Sequence, residues 1–138
     1  MKQISVFLEN RPGSLYAVLK KLKEWNVNLR ALSLADTAEF GVLRFIVEHP
    51  EDLVTRLKEE NFAATLTEVL AVGVEDRPGG LCDVVEVLTQ QGISIEYLYA
   101  FVSPKGDRAY VVLRVEDLET AKRILEEQGI PVIEHLTF

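Results

Sequence analysis

The sequence is short of several residue types, and each shortage excludes something. It has one cysteine, Cys82, so no disulfide can form within the chain, and a reducing compartment fits. Its two histidines, His49 and His135, stand far apart with no Cys or His at ligand spacing, so no metal site is expected. Lys and Arg form no dense run; 15 basic against 22 acidic residues give 15 − 22 = −7. An acidic chain without a basic stripe repels phosphate backbones and anionic lipids, so neither nucleic acid nor membrane is an expected partner. No stretch approaches the roughly 20 apolar residues that span a bilayer. The opening MKQISVFLEN reaches charge too soon for a signal peptide, and the expected location is the cytoplasm. Neither GxxxxGK[ST] nor GxGxxG occurs, which argues against a nucleotide, and no cofactor is expected.

What is present is a repeat. The phrase ENRPGSL at Glu9–Leu15 returns as EDRPGGL at Glu75–Leu81, an offset of 75 − 9 = 66. At that offset Val18, Leu22 and Leu32 meet Val84, Leu88 and Leu98, and Leu66, Glu68 and Leu70 meet Val132, Glu134 and Leu136. The period is too long for a solenoid unit and suits a duplicated small domain. With 138 residues, 48% of them apolar, the chain can form two small cores. The expected domains are 1–69 and 70–138.

Each half reads alike. Ile4, Val6 and Leu8 alternate with Ser5, Phe7 and Glu9, a strand with one buried face; Leu70, Val72 and Val74 copy it. Leu15, Val18, Leu19 and Leu22 have helical spacing, as do Leu81, Val84, Val85 and Leu88, with Asn26 and Gly92 at the helix ends. Second strands are expected at Asn28–Ala35 and Ser94–Val102, the latter followed by a turn, SPKGD at Ser103–Asp107. Third strands at Val42–Val47 and Ala109–Val115 are apolar nearly throughout, as central strands are. Second helices at Glu51–Glu60 and Leu118–Gln128 carry stripes of Leu53, Val54 and Leu57, and of Leu118, Ala121, Ile124 and Leu125. Final strands fall at Ala64–Leu70 and Pro131–Phe138. The order β-α-β-β-α-β predicts an α+β chain: two ferredoxin-like units, each an antiparallel four-stranded sheet with two helices on one face. Between the halves ATLTEVLAVGVE offers no flexible tether, so a stiff join, even one long bent strand, is expected.

The repeated phrase admits two readings. One is a strand-to-helix corner: Pro12 and Pro78 suit a helix start, Asn10 and Asp76 are candidate N-caps, and Gly13 and Gly79 let the chain turn. The other is an anion site, in which the N–H groups of Gly13, Ser14 and Leu15 face a carboxylate at the positive end of a helix. Asn10 offers an amide donor and a carbonyl acceptor beside it, so the ligand this reading points to is an amino acid.

A β-α-β-β-α-β unit with N/D-R-P-G-x-L after its first strand resembles an ACT domain, a small regulatory module that binds amino acids. The resemblance covers the whole chain as two units in tandem. ENRPGSL followed by WNVNL at Trp25–Leu29 is especially similar to the serine-binding ACT unit of phosphoglycerate dehydrogenases. It implies that Asn10 and Asn28 touch a ligand from opposite sides of an interface between two units. The family's histidine two residues before the first Asn is Leu8 here, which points away from serine. The second repeat has Asp76 and Ser94 where the first has Asn10 and Asn28, so Asp76 is expected to face an ammonium group, and the Asn pair favours the first repeat. The ligand-contacting set implied is Asn10, Arg11, Pro12, Gly13, Ser14, Leu15 and Asn28, with Asp76, Arg77, Pro78, Gly79, Gly80, Leu81 and Ser94. ACT units usually associate through sheet edges or faces, so a homodimer is implied. The expected protein is not an enzyme; it binds an amino acid and signals to a regulated metabolic enzyme or through a change of assembly.

Other residues carry plainer expectations. Tyr97, Tyr99 and Phe101 alternate along one strand, to be covered by another unit or to wall the pocket. Cys82 is expected to be a small buried or pocket-lining residue. Arg11 and Arg77 are expected in solvent or on local carboxylates, and Glu59–Glu60 and Glu126–Glu127 on solvated helix faces. An acylphosphatase-type enzyme of this fold class needs an Arg in a GxVxGVxxR-like loop, which does not occur. An RNA-binding module of this fold would have the aromatics of Tyr97–Phe101 but is opposed by the charge.

Overall fold

The alternation of the first strand has the expected physical outcome. In a computed structural model that describes residues 1–37, 39–102 and 108–135, Ile4, Val6 and Leu8 are buried while Phe7 and Glu9 are exposed. Ser5 breaks the alternation: it is buried and accepts a hydrogen bond from the Gln3 side-chain amide at 3.1 Å, which satisfies two polar groups that burial would otherwise strand.

The first unit, Lys2–Thr67, contains β1 (Lys2–Glu9), α1 (Ser14–Glu24), β2 (Ala31–Asp36), β3 (Phe40–Ile46), α2 (Pro50–Glu59) and β4 (Ala63–Glu68, which ends one residue past the unit). Its sheet has the order β2-β3-β1-β4, with β1 and β2 both antiparallel to β3. The second unit, Glu68–Phe138 together with Met1, contains β5 (Leu70–Val74), α3 (Gly80–Gln90), β6 (Ile95–Val102), β7 (Ala109–Val115), α4 (Leu118–Glu127) and β8 (Val132–Ile133), in the order β6-β7-β5-β8. Each is a ferredoxin-like α+β unit. Inner strands β3 and β7 are nearly continuous in apolar residues because both of their faces are buried: Val42 and Ile46 on one side of β3 and Leu43 and Phe45 on the other, and Val112 opposite Val111 and Leu113 in β7.

Two cores form on the helix-bearing faces. The first joins Ile4, Val6, Leu43 and Phe45 of the sheet to Val18, Leu22, Leu53 and Leu57 of the helices. The second joins Val72, Val111 and Leu113 to Val84, Leu88, Ala121 and Leu125. Complete burial of one such aliphatic side chain stabilises by about 1.5–3 kcal/mol.

All four helices end the same way. Asn26, Asn61, Gly92 and Gly129 adopt left-handed φ of 56°, 68°, 72° and 74°. In α1 the Asn26 N–H donates to Lys23 O at 3.1 Å and the Val27 N–H to Leu22 O at 2.9 Å; the other three repeat this pair of bonds. These are Schellman closures, which satisfy the last carbonyls and turn the chain sharply. They also explain a difference from the sequence reading: β2 starts at Ala31, not at Asn28. The closure uses Asn26 and Val27, and the chain rejoins the sheet when the Arg30 N–H reaches Ile46 O at 2.9 Å. Asn28 is left in the connection, as is Ser94 before β6. β4 and β5 belong to different sheets with Val69 between them, so they are not one shared strand. The SPKGD turn and the end of the last strand at 136–138 lie outside the described residues.

The aromatic stripe lies on the face away from the helices. Tyr97, Tyr99 and Phe101 are in register with Arg114, Val112 and Tyr110, whereas Leu98 and Ala100 pair with the core residues Leu113 and Val111. Phe101 stacks on Tyr110, with ring centroids 5.5 Å apart.

Candidate ligand-binding corners

The two Pro-Gly phrases fold as one backbone motif. Gly13 has φ 90° and ψ −11°, and Gly79 has φ 86° and ψ −6°. With Pro at the preceding position this is a type II turn, whose third residue needs positive φ and therefore glycine. The turn closes when the Ser14 N–H points to Arg11 O at 3.4 Å and the Gly80 N–H to Arg77 O at 3.0 Å. The helices begin directly, with the Ala17 N–H on Gly13 O at 2.9 Å and the Asp83 N–H on Gly79 O at 3.0 Å.

This geometry corrects the expected capping. The N-caps are Gly13 and Gly79, without a side-chain cap, while Asn10 and Asp76 lie three residues earlier. Pro12 and Pro78 belong to the turn, not the first helical turn. The open amides shift as well: Ser14 and Gly80 spend theirs on the turn, which leaves those of Leu15 and Tyr16, and of Leu81 and Cys82, without intrahelical acceptors. Cys82 is exposed rather than buried.

The side chains give each corner an acidic rim. The Asn10 Nδ2 donates to Asp36 Oδ1 at 3.2 Å, tying the end of β1 to the end of β2. Arg11 donates to Glu9 at 2.6 Å. Arg77 is held twice, by Glu75 at 2.5 Å and Asp83 at 2.6 Å, and these partners, Glu75 first, raise its pKa above the ordinary value. Counting Glu9, Asp36 and Arg11, the first corner carries 1 − 2 = −1; counting Glu75, Asp76, Asp83, Arg77 and Arg108, the second carries 2 − 3 = −1. The helix amides favour an anion and the side chains favour a cation, which together match a zwitterion.

The corners differ in detail. Ser14 Oγ is buried and has no hydrogen-bond partner. At Gly80, the equivalent position, a Cβ would overlap the Glu75 carbonyl oxygen, so the second corner is tighter. A cleft of about 230 Å³ opens there, lined by Gly73, Glu75, Arg77, Asp83, Arg108 and Gln128 among others. Asn28 lies elsewhere. It borders a cleft of about 320 Å³ beside Trp25, Arg30, His49 and Asp52, where the Arg56 guanidinium sits 4.4 Å from the Trp25 ring centroid. From Ser14 to Glu24, α1 rises about 15 Å, so within one unit Asn10 and Asn28 stand at opposite ends of a helix. Asp76 and Ser94 are separated in the same way by α3. Sequence reasoning missed Asp36 and Arg108, because each reaches its corner only through strand pairing.

Among the described residues no group of three or more His, Cys, Asp or Glu side chains could hold a metal, and no helix is long and apolar enough to cross a membrane.

Two ferredoxin-like units, each with a Pro-Gly corner between first strand and first helix, define a tandem α+β fold. The chain belongs to the ACT domain pair family, whose model matches residues 1–137. It is similar to protein BT0572 from Bacteroides thetaiotaomicron, with 36% identity over 96% of this chain and 90% of that one and a TM-score of 0.88. It shares its fold with the regulatory subunit of aspartate kinase from Thermus thermophilus, at 21% identity over 91% of each chain and a TM-score of 0.61. The corresponding subunit from Thermus flavus is 17% identical over 93% of this chain and 92% of that one, with a TM-score of 0.60. No curated protein matches the chain.

Proposed function

We propose that this protein is a cytoplasmic amino-acid sensor. It binds a free amino acid at the corner between the first strand and first helix of an ACT unit, and it acts by binding rather than catalysis. We place the domain boundary at 69/70, just before β5 and two residues beyond the 67/68 division of the compact units. The observation that carries the reading is the dipolar corner: open helix amides beside a net excess of carboxylates, a match for a ligand with one carboxylate and one ammonium group. Because α1 separates Asn10 from Asn28 by about 15 Å, a ligand that meets both residue types bridges two ACT units, and a homodimer supplies such a pair. A ligand that binds one arrangement of that dimer better than another shifts the population, and a regulated metabolic enzyme reads the shift.

The test is a thermal-shift screen of the whole chain against the twenty amino acids. A ligand at 100 times its Kd adds about 2.7 kcal/mol to stability, which such a screen resolves. A melting temperature unmoved by every amino acid would refute the proposal.

A further inference from the structure

The cleft at the second corner is built differently from its surroundings. Four of its lining residues are charged: Glu75 and Asp83 against Arg77 and Arg108, which sum to 2 − 2 = 0. Arg77 is already committed to both carboxylates, through Glu75 Oε2 and Asp83 Oδ2. Arg108 has no ion-pair or hydrogen-bond partner among the described residues. It stands directly before β7, which pairs with β5, and its guanidinium lies over Gly73 of β5: a Cβ on Gly73 would come within 3.5 Å of Arg108 Nη1 and 3.6 Å of Pro131. The lining of the cleft therefore includes an uncommitted guanidinium as well as two carboxylates.

We propose that Arg108 receives the carboxylate of a free α-amino acid in this cleft, while Glu75 and Asp83 receive its ammonium group. This rests on the amino-acid reading above and changes it at the second corner, where the acid end goes to Arg108 rather than to the open amides of Leu81 and Cys82, which do not line the cleft. A carboxylate accepts at both oxygens, so the oxygens of Glu75 and Asp83 that Arg77 leaves unused remain available to an ammonium. A guanidinium meets a carboxylate through two parallel N–H donors, a geometry that a phosphate dianion shares. The zero net charge of the lining selects against the dianion and for the zwitterion. The first unit has no equivalent. At the position of Gly73 it has Phe7, and at the position that strand register gives to Arg108 it has Phe40; these two rings pack edge-on, with centroids 5.6 Å apart. The assignment thus gives the zwitterion cleft to the second repeat, against the preference for the first that the Asn pair carried.

The experiment is calorimetric titration of the whole chain with each amino acid, and with the carboxamide of any that binds. Arg108→Gln is expected to weaken the acid by about 10- to 100-fold, the effect of losing a charge-assisted bond, and to leave the carboxamide within about 2-fold. Arg108→Lys, which keeps the charge, is expected to recover part of the loss. An amino acid that binds wild type and Arg108→Gln equally well overturns the assignment alone, as does an equal loss for acid and carboxamide. Wild-type protein that binds no amino acid overturns the functional reading beneath it. Matching circular dichroism and melting curves for Arg108→Gln separate lost contact from lost fold.

Discussion

The first and second corners share a backbone and differ in chemistry. In both, a Pro-Gly type II turn ends in a glycine N-cap with φ near 90°. The first then places a serine whose hydroxyl is buried without a partner, while the second places a glycine where no Cβ fits. One rim is tied by Asn10 to Asp36, and the other is crowded by Arg77 between two carboxylates. Duplication preserved what the backbone needs, namely a residue that tolerates positive φ, and left the side chains free to diverge.

The cores are where the units should be most alike. Leu57 in the first and Leu125 in the second are both wholly buried at matching places in their second helices. Leu57→Ala and Leu125→Ala are each expected to cost about 2–5 kcal/mol, the transfer of the lost methyl groups plus a cavity. Denaturant unfolding measures the cost, and hydrogen exchange shows which unit loses protection. A loss in one variant several times that in the other would break the equivalence of the two cores.

That equivalence was legible in sequence because it rests on periodicity. Apolar residues at helical and strand spacing define which face is buried, and the 66-residue repeat let each half check the other. The corners were legible only as places. Asn10 has the chemistry of a cap and stands near a helix, but the type II turn inserts three residues first, and a propensity argument does not count them. Asn28 continues the alternation of a strand, yet the Schellman closure at Asn26 and Val27 draws it into the connection. Arg108 gave no signal at all: its relation to Gly73 exists only because β7 lies beside β5.

Exchanging the two residues that differ just inside the turn sharpens the comparison. Gly80→Ser introduces a Cβ against the Glu75 carbonyl oxygen, backbone that cannot swing aside, and is expected to destabilise by about 1–3 kcal/mol. Ser14→Gly removes a buried, unpaired hydroxyl, a gain that offsets the roughly 0.5–1 kcal/mol a helical glycine costs, so little net change is expected. Urea midpoints compare the two. Equal losses would mean that the corners are interchangeable after all.

The smallest effect lies at the second helices. Asp117 caps α4: its carboxylate accepts from the Thr120 hydroxyl at 2.6 Å and from the Thr120 N–H at 3.1 Å. Those bonds, the hydroxyl first, hold its pKa below the ordinary carboxylate value. His49 occupies the same position before α2 and supplies no side-chain cap. Asp117→Ala should therefore lower Tm at neutral pH, and His49→Asp should raise it by giving the first unit the acceptor that it lacks. The sign with pH follows from the lowered pKa. Stabilisation by Asp117 is complete above the unfolded value of about 3.9 and is lost as pH falls through the lower folded value. The Tm gap between wild type and Asp117→Ala should consequently be widest near neutrality and close in strong acid. A gap as wide at about pH 2 as at neutrality would show that the loss comes from something other than an ionised cap, and the contrast between α4 and α2 would then have to be sought in packing.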